Sequence, residues 1–258
     1  MDSIGTLHTQ QWFDNFGQTM KLNIYQCYYD NSQLGLLSPS FIPYDNAGDK
    51  NFRYREYVLW QRFYRKHLND DSHWGVVSWR WNQKTGLDPK EFIQWIENNP
   101  GHDMYYYDPS LETIVHDNLW VQGEPWHPGM INFCNRLLKK MNIDKDITQI
   151  RYKAKHFACS SFFVGNGKFW DNYLSFVNEV ITYCLFDQHM KRYLFEVSNV
   201  YNGKAIPFFS FVIERLFSLY YYLNEDKCNF LKFPVDHSCY KNKFGDHQFL
   251  MSVYESKK

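Results

Sequence analysis

Two short segments of the chain combine polar side chains that can hold a ligand with aromatic side chains that can stack on one. The first, W-G-V-V-S-W-R-W-N-Q-K-T-G-L, spans residues 74–87, and the second, Q-G-E-P-W-H-P-G, spans residues 122–129. Their glycines and prolines are typical of turns, and neither segment keeps the period of a regular element throughout. We expect both to be loops at the end of a sheet, where they can bind a ligand.

The charged residues of these segments suit phosphate binding and acid–base chemistry. Arg80 and Lys84 can neutralise a phosphate or diphosphate, although the end of an exposed strand would carry the same residues. Trp79 beside Arg80 can stack on a base or sugar ring, or simply pack in the core. Glu124 suits either acid–base catalysis or a structural role in its loop. His127 suits either ligand binding or capping of the helix that follows it.

A second pair of charges, Glu214 and Arg215, interrupts the apolar stretch I-P-F-F-S-F-V-I-E-R-L-F-S-L. A buried charge is costly unless it is paired, so these side chains should find partners or face a cavity. The structural alternative is an ion pair, with Arg215 turned towards another element. The functional alternative makes Glu214 an acid–base or ligand-binding group.

The elements that must position these residues alternate between strands and helices. The hydrophobic pattern predicts strands over 21–28, 74–79, 103–107 and 157–164, and helices over 53–68, 88–98, 128–141, 168–186 and 208–223. Asp88-Pro89 is a strong helix start, and the proline-containing stretch through Asp45 and Asn46 is expected to be a loop. The alternation predicts an α/β fold: one domain over 1–258, with a mixed central sheet flanked by helices and a loop-rich tail after about residue 224.

The composition of the chain bears on its possible ligands and on its location in the cell. Lys and Arg total 28 and Asp and Glu total 28, so no strong positive field favours nucleic acid as a partner. The six cysteines contain no C-x-x-C pair, which argues against a structural zinc site. No secretory signal and no transmembrane segment are visible, so we expect a cytoplasmic protein. With 20% aromatic residues, peripheral membrane contact stays open, but no basic amphipathic helix supports it.

Seven short motifs follow one another in a consistent order between residues 45 and 216. They are D-N at 45–46, R-E-Y at 55–57, K-T-G-L at 84–87, Q-G-E at 122–124, H-P-G at 127–129, F-W at 169–170 and E-R-L at 214–216. In this order the chain resembles a group of bacterial glycosyltransferase-like proteins of the GT-A type from polysaccharide and lipopolysaccharide loci. The resemblance implies a single GT-A-like (Rossmann-like) domain that binds a nucleotide-sugar donor at the carboxyl ends of its strands.

The activity that this resemblance implies is that of a hexosyltransferase acting on a surface-glycan acceptor of the capsule or lipopolysaccharide kind. Arg80 and Lys84 would neutralise the diphosphate, and Asp45 and Asn46 would line the nucleotide side. Either Glu214 or Glu124 would take the proton from the acceptor hydroxyl. Further donor- or substrate-binding residues are expected at Arg55, Trp79, Thr85, Gln122, His127 and Arg215.

The chain departs from the GT-A pattern in its acidic residues. Many members carry a D-x-D triplet that holds a divalent cation, whereas here a single acid, Asp108, follows the third predicted strand. The literal match, D-K-D at 144–146, follows a helix and suits a solvated turn. Either Asp108 holds Mg²⁺ or Mn²⁺ with water and phosphate oxygens, or basic side chains take the place of the cation. No organic cofactor is expected beyond the donor itself.

Two other classes of function compete with the transferase. One is a non-catalytic carbohydrate-binding or scaffold protein of a glycan-assembly system, which would use the aromatic residues for recognition. The other is a glycoside hydrolase with two carboxylates, although no pair of acids stands out in the sequence.

Overall fold

The centre of the molecule is a mixed six-stranded sheet. The computed structural model describes residues 20–49, 54–110, 116–201 and 204–235. In chain order the strands are β1 (Leu22–Tyr28), β2 (Ile42–Asp45), β3 (His73–Ser78), β4 (Met104–Tyr107), β5 (Phe162–Gly165), β6 (Val197–Tyr201), β7 (Lys204–Pro207) and β8 (Phe230–Lys232). Six of them form the sheet in the order β2-β1-β3-β5-β4-β8, and β6 and β7 form a separate antiparallel pair.

The strand directions place five carboxyl ends at one edge of this sheet. β1 runs parallel to β2 and β3, and β4 runs parallel to β8. β5 lies between β3 and β4 and is antiparallel to both. The edge at which β1, β2, β3, β4 and β8 end is therefore also the edge at which β5 begins. We call it the carboxyl edge.

Helices cover both faces of the sheet. In chain order they are α1 (Arg55–Lys66), α2 (Trp81–Thr85), α3 (Pro89–Glu97), α4 (Leu119–Gly123), α5 (Met130–Lys140), α6 (Gly167–Phe186), α7 (Gln188–Phe195) and α8 (Phe208–Leu223). Among the residues described, none of these helices has the length and apolarity needed to cross a bilayer. The α/β class and the mixed central sheet flanked by helices are confirmed.

The side chains of β4 show how the sheet divides the core. Met104 and Tyr106 belong to the cluster that lies under α1, α5, α6 and α8, whereas Tyr105 and Tyr107 belong to the cluster under α2 and α3. Successive residues of a strand point to opposite faces, so a strand buried on both faces is apolar or aromatic throughout. Much of the chain's high aromatic content lies in this core, which packs on both faces of the sheet.

Two tryptophans join the sheet to the longest helix. The rings of Trp74 in β3 and Trp170 in α6 stack with centroids 4.0 Å apart, and the Trp170 indole donates to the Trp74 carbonyl at 3.0 Å. The F-W motif at 169–170 therefore has a packing role. The start of α3 is as expected, because the Asp88 side chain accepts a hydrogen bond from the Lys90 amide and Pro89 occupies the first turn.

Several boundaries differ from the sequence predictions. The stretch expected to be a loop before Asn46 is strand β2, which tolerates Pro43 because it lies at the edge of the sheet. The strand expected over 157–164 begins only at Phe162, after a turn in which Ser161 has a positive φ of 54°. The tail expected to be loop-rich contributes β8 within its described part, which ends at residue 235.

The polar and aromatic segments at 74–87 and 122–129 are also more regular than expected. Trp81–Thr85 forms α2 rather than an open loop, and Gln122-Gly123 closes α4. Both helices are only five residues long, which is too short for a hydrophobic period to be read from sequence. Neither α7 nor the β6–β7 pair was expected.

Candidate functional site

A cavity of about 310 Å³ opens at the carboxyl edge of the sheet. Its walls come from α2 after β3, the segment after β4, the turn between α4 and α5, the segment before β5, and α8. The lining residues are Lys84, Ser110, Gln122, Trp126, His127, Cys159, Ser160, Phe211, Glu214 and Arg215. Five of these ten were predicted as site residues, although they come from three separate regions of the chain. A larger cavity of about 930 Å³ at the opposite edge contains none of the predicted residues.

Arg215 is a buried cation on the wall of this cavity. It is 8% exposed, and its guanidinium donates from Nε to the Leu119 carbonyl, from Nη1 to the Phe211 carbonyl and from Nη2 to Gln122 Oε1, each at 2.9 Å. Within the described ranges no carboxylate lies within 4.0 Å of it. Three of its five N–H groups are used by the protein, so two donors and an unbalanced charge are available to a ligand.

Gly123 explains how Arg215 comes so close to the turn. A Cβ atom at this position would lie 2.9 Å from Arg215 Nε and 2.6 Å from Met130 Sδ. With any larger residue at this position, the Met130 or Arg215 side chain would have to shift. The glycine of the Q-G-E motif therefore allows Arg215 and Met130 to pack closely against the turn.

Lys84 supplies a second cation to the lining of the cavity. It lies in the last turn of α2 and is half-buried, with Nζ 5.7 Å from the centroid of the Phe162 ring. No carboxylate of the described residues lies within 4.0 Å of its ammonium group. A cavity lined by two cations, neither of which is paired with a carboxylate of the described ranges, is suited to an anionic ligand.

Arg80, expected to act together with Lys84, is placed elsewhere. Its side chain is exposed, donates from Nε to Gln83 at 3.3 Å and lies 5.9 Å from the ring of Trp79. Neither Arg80 nor Trp79 lines the cavity. Thr85 has a structural contact at the end of α2, because its hydroxyl donates to the Trp81 carbonyl and accepts from the Leu87 amide.

His127 lies between the turn and α8 as a neutral imidazole. Its ring stacks on Phe211 with centroids 3.6 Å apart, and Nδ1 lies 2.7 Å from Ser198 Oγ. Burial, assisted by the positive charge of Arg215, lowers the pKa of His127 to about 4. At neutral pH the residue offers a hydrogen-bonding nitrogen without adding charge to the cavity.

Glu124 caps the helix that follows the turn. One carboxylate oxygen accepts from the Gly129 amide at 2.8 Å and the other accepts from the Ile131 amide at 2.7 Å. A carboxylate at this position also interacts favourably with the dipole of α5. Glu124 is not among the lining residues, and it makes the capping contact that the sequence suggested for His127.

Glu214 and Cys159 bring acidic and thiol groups into the same cavity. Glu214 is half-buried in α8, one residue before Arg215. Burial raises the pKa of the Cys159 thiol well above its ordinary value, and the negative charge of Asp108 raises it further. The thiol is therefore protonated at neutral pH and is a poor nucleophile, whereas Glu214 brings a carboxyl group to the same lining.

Asp108 lies behind the cavity, and the protein already holds its carboxylate. It is 1% exposed, and Oδ1 accepts from the amides of Ser110 at 3.2 Å and Cys159 at 3.5 Å. Oδ2 lies 3.5 Å from Lys232 Nζ. The described residues contain no group of three or more His, Cys, Asp or Glu side chains that could hold a metal ion. In this part of the chain, a cation at Asp108 would need most of its ligands from water and phosphate.

The remaining predicted residues lie further along the carboxyl edge. Asp45 ends β2 and accepts from the Ala47 amide at 2.8 Å, and Asn46 accepts from Arg62 Nη1 at 3.1 Å. These are turn and packing contacts, and neither residue lines the cavity. Arg55 begins α1, and its side chain lies outside the described part of the structure.

The lining also contains residues that the sequence analysis did not select. Trp126 is the largest of them and is 74% exposed. Ser110, Ser160 and Phe211 are the others, together with Cys159. The signal for Trp126 was its position inside Q-G-E-P-W-H-P-G, whereas nothing in the local sequence distinguishes the two serines or Phe211.

No family model, no curated protein and no solved structure matches this chain.

Proposed function

We propose that the protein is a glycosyltransferase that moves a sugar from a nucleotide-sugar donor to a glycan acceptor. The reaction would take place in the cavity at the carboxyl edge. The proposal is for a hexosyltransferase-like enzyme on a GT-A-like domain, acting in the cytoplasm on a surface glycan of the capsule or lipopolysaccharide kind. No nucleic acid and no organic cofactor besides the donor take part.

The observation that carries the proposal is the charge arrangement in this cavity. Lys84 and Arg215 both line it, and no carboxylate of the described residues lies within 4.0 Å of either cation. The carboxylate of Glu214 lies on the same lining. A diphosphate leaving group needs cationic donors, and an attacking hydroxyl needs a base. The cations and the carboxyl group that such a reaction needs line the same cavity.

The proposed reaction assigns one step to each of these groups. The Glu214 carboxylate takes the proton of the acceptor hydroxyl while the hydroxyl oxygen forms a bond to the anomeric carbon. The bond between that carbon and the diphosphate oxygen breaks, and the nucleoside diphosphate leaves with the electron pair. Lys84 and Arg215 stabilise the negative charge that develops on the leaving oxygen. Gln122 and His127 are placed to position the sugar through hydrogen bonds.

Two features of the fold support the location. Open α/β sheets bind ligands outside the carboxyl ends of their strands, where this cavity lies. Its volume of about 310 Å³ is at the lower end for ligand pockets, which suits a sugar with its diphosphate. The nucleoside would then extend along the carboxyl edge towards Asp45 and Asn46, as the motif order implies. Asp108, which follows β4 beside the lining residues Ser110 and Cys159, is proposed to join a Mg²⁺ or Mn²⁺ ion bound by the phosphates.

A screen of nucleotide sugars tests the proposal. Thermal stability is measured with saturating UDP-, GDP-, dTDP- and CMP-sugars, once with EDTA and once with Mg²⁺ or Mn²⁺, and donor hydrolysis is followed in parallel. The proposal expects one nucleotide class to raise Tm and to be hydrolysed slowly. If no nucleotide sugar raises Tm under either condition, the transferase proposal is wrong.

The exposed Trp126 favours one alternative, a non-catalytic carbohydrate-binding or scaffold protein. An aromatic ring beside hydrogen-bonding groups can bind a glycan without any donor. Such a protein would be stabilised by oligosaccharides and by no nucleotide sugar. The same screen, extended to free glycans, therefore separates the two functions.

A further inference from the structure

One large aromatic side chain is exposed at the cavity and takes no part in the core. Five of the nine tryptophans, Trp60, Trp74, Trp81, Trp120 and Trp170, are at most 1% exposed, whereas Trp126 is 74% exposed. Trp126 nevertheless lines the same cavity as Glu214 and Arg215. A tryptophan that packing does not require, at the mouth of a polar cavity, is positioned to contact a ligand.

The backbone holds Trp126 in place although its ring is exposed. The Trp126 amide donates to the Gly123 carbonyl at 3.1 Å, and the His127 amide donates to the same carbonyl at 2.8 Å. On the far side of the turn, Glu124 binds the Gly129 amide. Pro125 and Pro128 flank the pair and restrict its backbone further. The backbone that carries the ring is therefore an ordered turn, so this segment need not become ordered when a ligand binds.

The groups around Trp126 are those that recognise a sugar ring. The carboxylate of Glu214, the amide of Gln122 and the hydroxyl of Ser160 line the same cavity and can hydrogen-bond to sugar hydroxyls. The face of a sugar ring carries C–H groups that pack on an aromatic face, while its hydroxyls point outwards to such polar partners.

The position of Trp126 assigns the sugar to the acceptor rather than to the donor. The turn that carries Trp126 packs directly on α8, because the His127 ring stacks on Phe211 with centroids 3.6 Å apart. Glu214, the proposed base for the acceptor hydroxyl, lies on the same helix and lines the same cavity as Trp126. We propose that Trp126 is the stacking platform for a sugar ring of the acceptor glycan. This inference rests on the proposed transferase function.

Three variants of the full chain test the platform. Trp126→Ala removes the ring, Trp126→Phe keeps an aromatic face, and Phe186→Ala removes an 87% exposed ring that does not line the cavity. An aromatic contact of this kind corresponds to roughly a tenfold change in affinity. We expect Trp126→Ala to raise the acceptor KM about tenfold, with Trp126→Phe within about threefold of wild type and Phe186→Ala unchanged. The donor Kd should be the same in all three.

A fluorescence measurement tests the platform without turnover. Acrylamide quenching is measured with and without oligosaccharides that contain glucose, galactose, mannose or N-acetylglucosamine, and Trp126→Phe identifies the signal of Trp126. One of these glycans should protect Trp126 from quenching. The inference is overturned if no glycan protects Trp126 from quenching, or if Trp126→Ala leaves the acceptor KM unchanged. It is also overturned if Trp126→Ala weakens donor binding and leaves acceptor binding as in wild type. A wild-type protein that binds no nucleotide sugar refutes the transferase, whereas the quenching result still decides the role of Trp126.

Discussion

Replacing Lys84 with methionine should separate ligand binding from folding. The ammonium group makes no hydrogen bond and no ion pair with the described residues, so the folded chain loses little when it is removed. Methionine keeps the length of the aliphatic stem, which is half-buried beside Phe162. We expect the free energy of unfolding of Lys84→Met without ligand to lie within about 0.5 kcal/mol of wild type.

The effect on donor binding should be much larger. A hydrogen bond to a charged group contributes about 2 kcal/mol, which corresponds to roughly 30-fold in Kd. With donor at about 100 times the wild-type Kd, bound ligand stabilises the wild type by about 2.7 kcal/mol. A 30-fold weaker Kd leaves about 0.9 kcal/mol. For a chain of this size, these values correspond to rises in Tm of about 5–11 °C for wild type and about 2–4 °C for the variant.

The assay is a thermal melt with and without the donor found by the nucleotide screen, supported by calorimetric Kd values. Lys191→Met is the matched control, because Lys191 is exposed on α7 and does not line the cavity. It should respond to donor as the wild type does. An unchanged donor response in Lys84→Met would show that Lys84 does not contact the ligand. A large drop in Tm without ligand would show that the residue is structural.

Two further predictions concern the turn between α4 and α5. Glu124→Ala should lower the free energy of unfolding by about 1–2 kcal/mol, because the Gly129 and Ile131 amides lose their partner, and it should leave kcat within about threefold of wild type. Loss of turnover at unchanged stability in urea melts would instead make Glu124 catalytic. His127 has a pKa of about 4 when folded and 6.5 as its ordinary value, so the unfolded chain binds more protons between these pH values and stability falls as pH drops from 6.5 to 4. His127→Gln should lose less stability than wild type over that window, and an equal loss in both would contradict the buried neutral histidine.

Regular elements were the most predictable part of the fold. The helix at 208–223 was predicted with both ends correct, and β1, β3 and β4 were predicted to within one residue at each end. Their signal is a long helical period or a run of apolar and aromatic residues. The short elements α2, α4 and β2 were not predicted, because they contain only four or five residues and their form depends on tertiary contacts.

The residues of the site were predictable individually, but their grouping was not. Lys84, Gln122, His127, Glu214 and Arg215 all face one cavity, and each stood out as a polar residue in an apolar or aromatic setting. Arg80, the residue before α2, is exposed and donates to Gln83, and it does not line the cavity. Sequence spacing cannot show that a guanidinium on α8 reaches the Leu119 carbonyl, which is 96 residues away along the chain.

The capping role of Glu124 illustrates why acidic residues near a ligand loop are ambiguous. Its five-residue separation from Gly129 includes two prolines, so the local chain path could not be predicted from propensity. Asp45 shows the same ambiguity, because its side chain closes a turn at Ala47. Asp108 is held by two backbone amides and an ion pair with Lys232. Of the four acids proposed for the site, Glu214 is the one that lines the cavity.

The turnover number of Glu214→Gln is the most direct test of the central claim that this cavity catalyses sugar transfer. It is measured with saturating donor and acceptor, beside the control Glu97→Gln, whose exposed carboxylate at the end of α3 does not line the cavity. Glutamine keeps the shape of the side chain but cannot take a proton. We predict that kcat falls at least about 100-fold in Glu214→Gln, as expected for loss of a general base, while donor Kd stays within about threefold and Glu97→Gln behaves as wild type. A folded Glu214→Gln variant that transfers sugar at the wild-type rate would contradict the account.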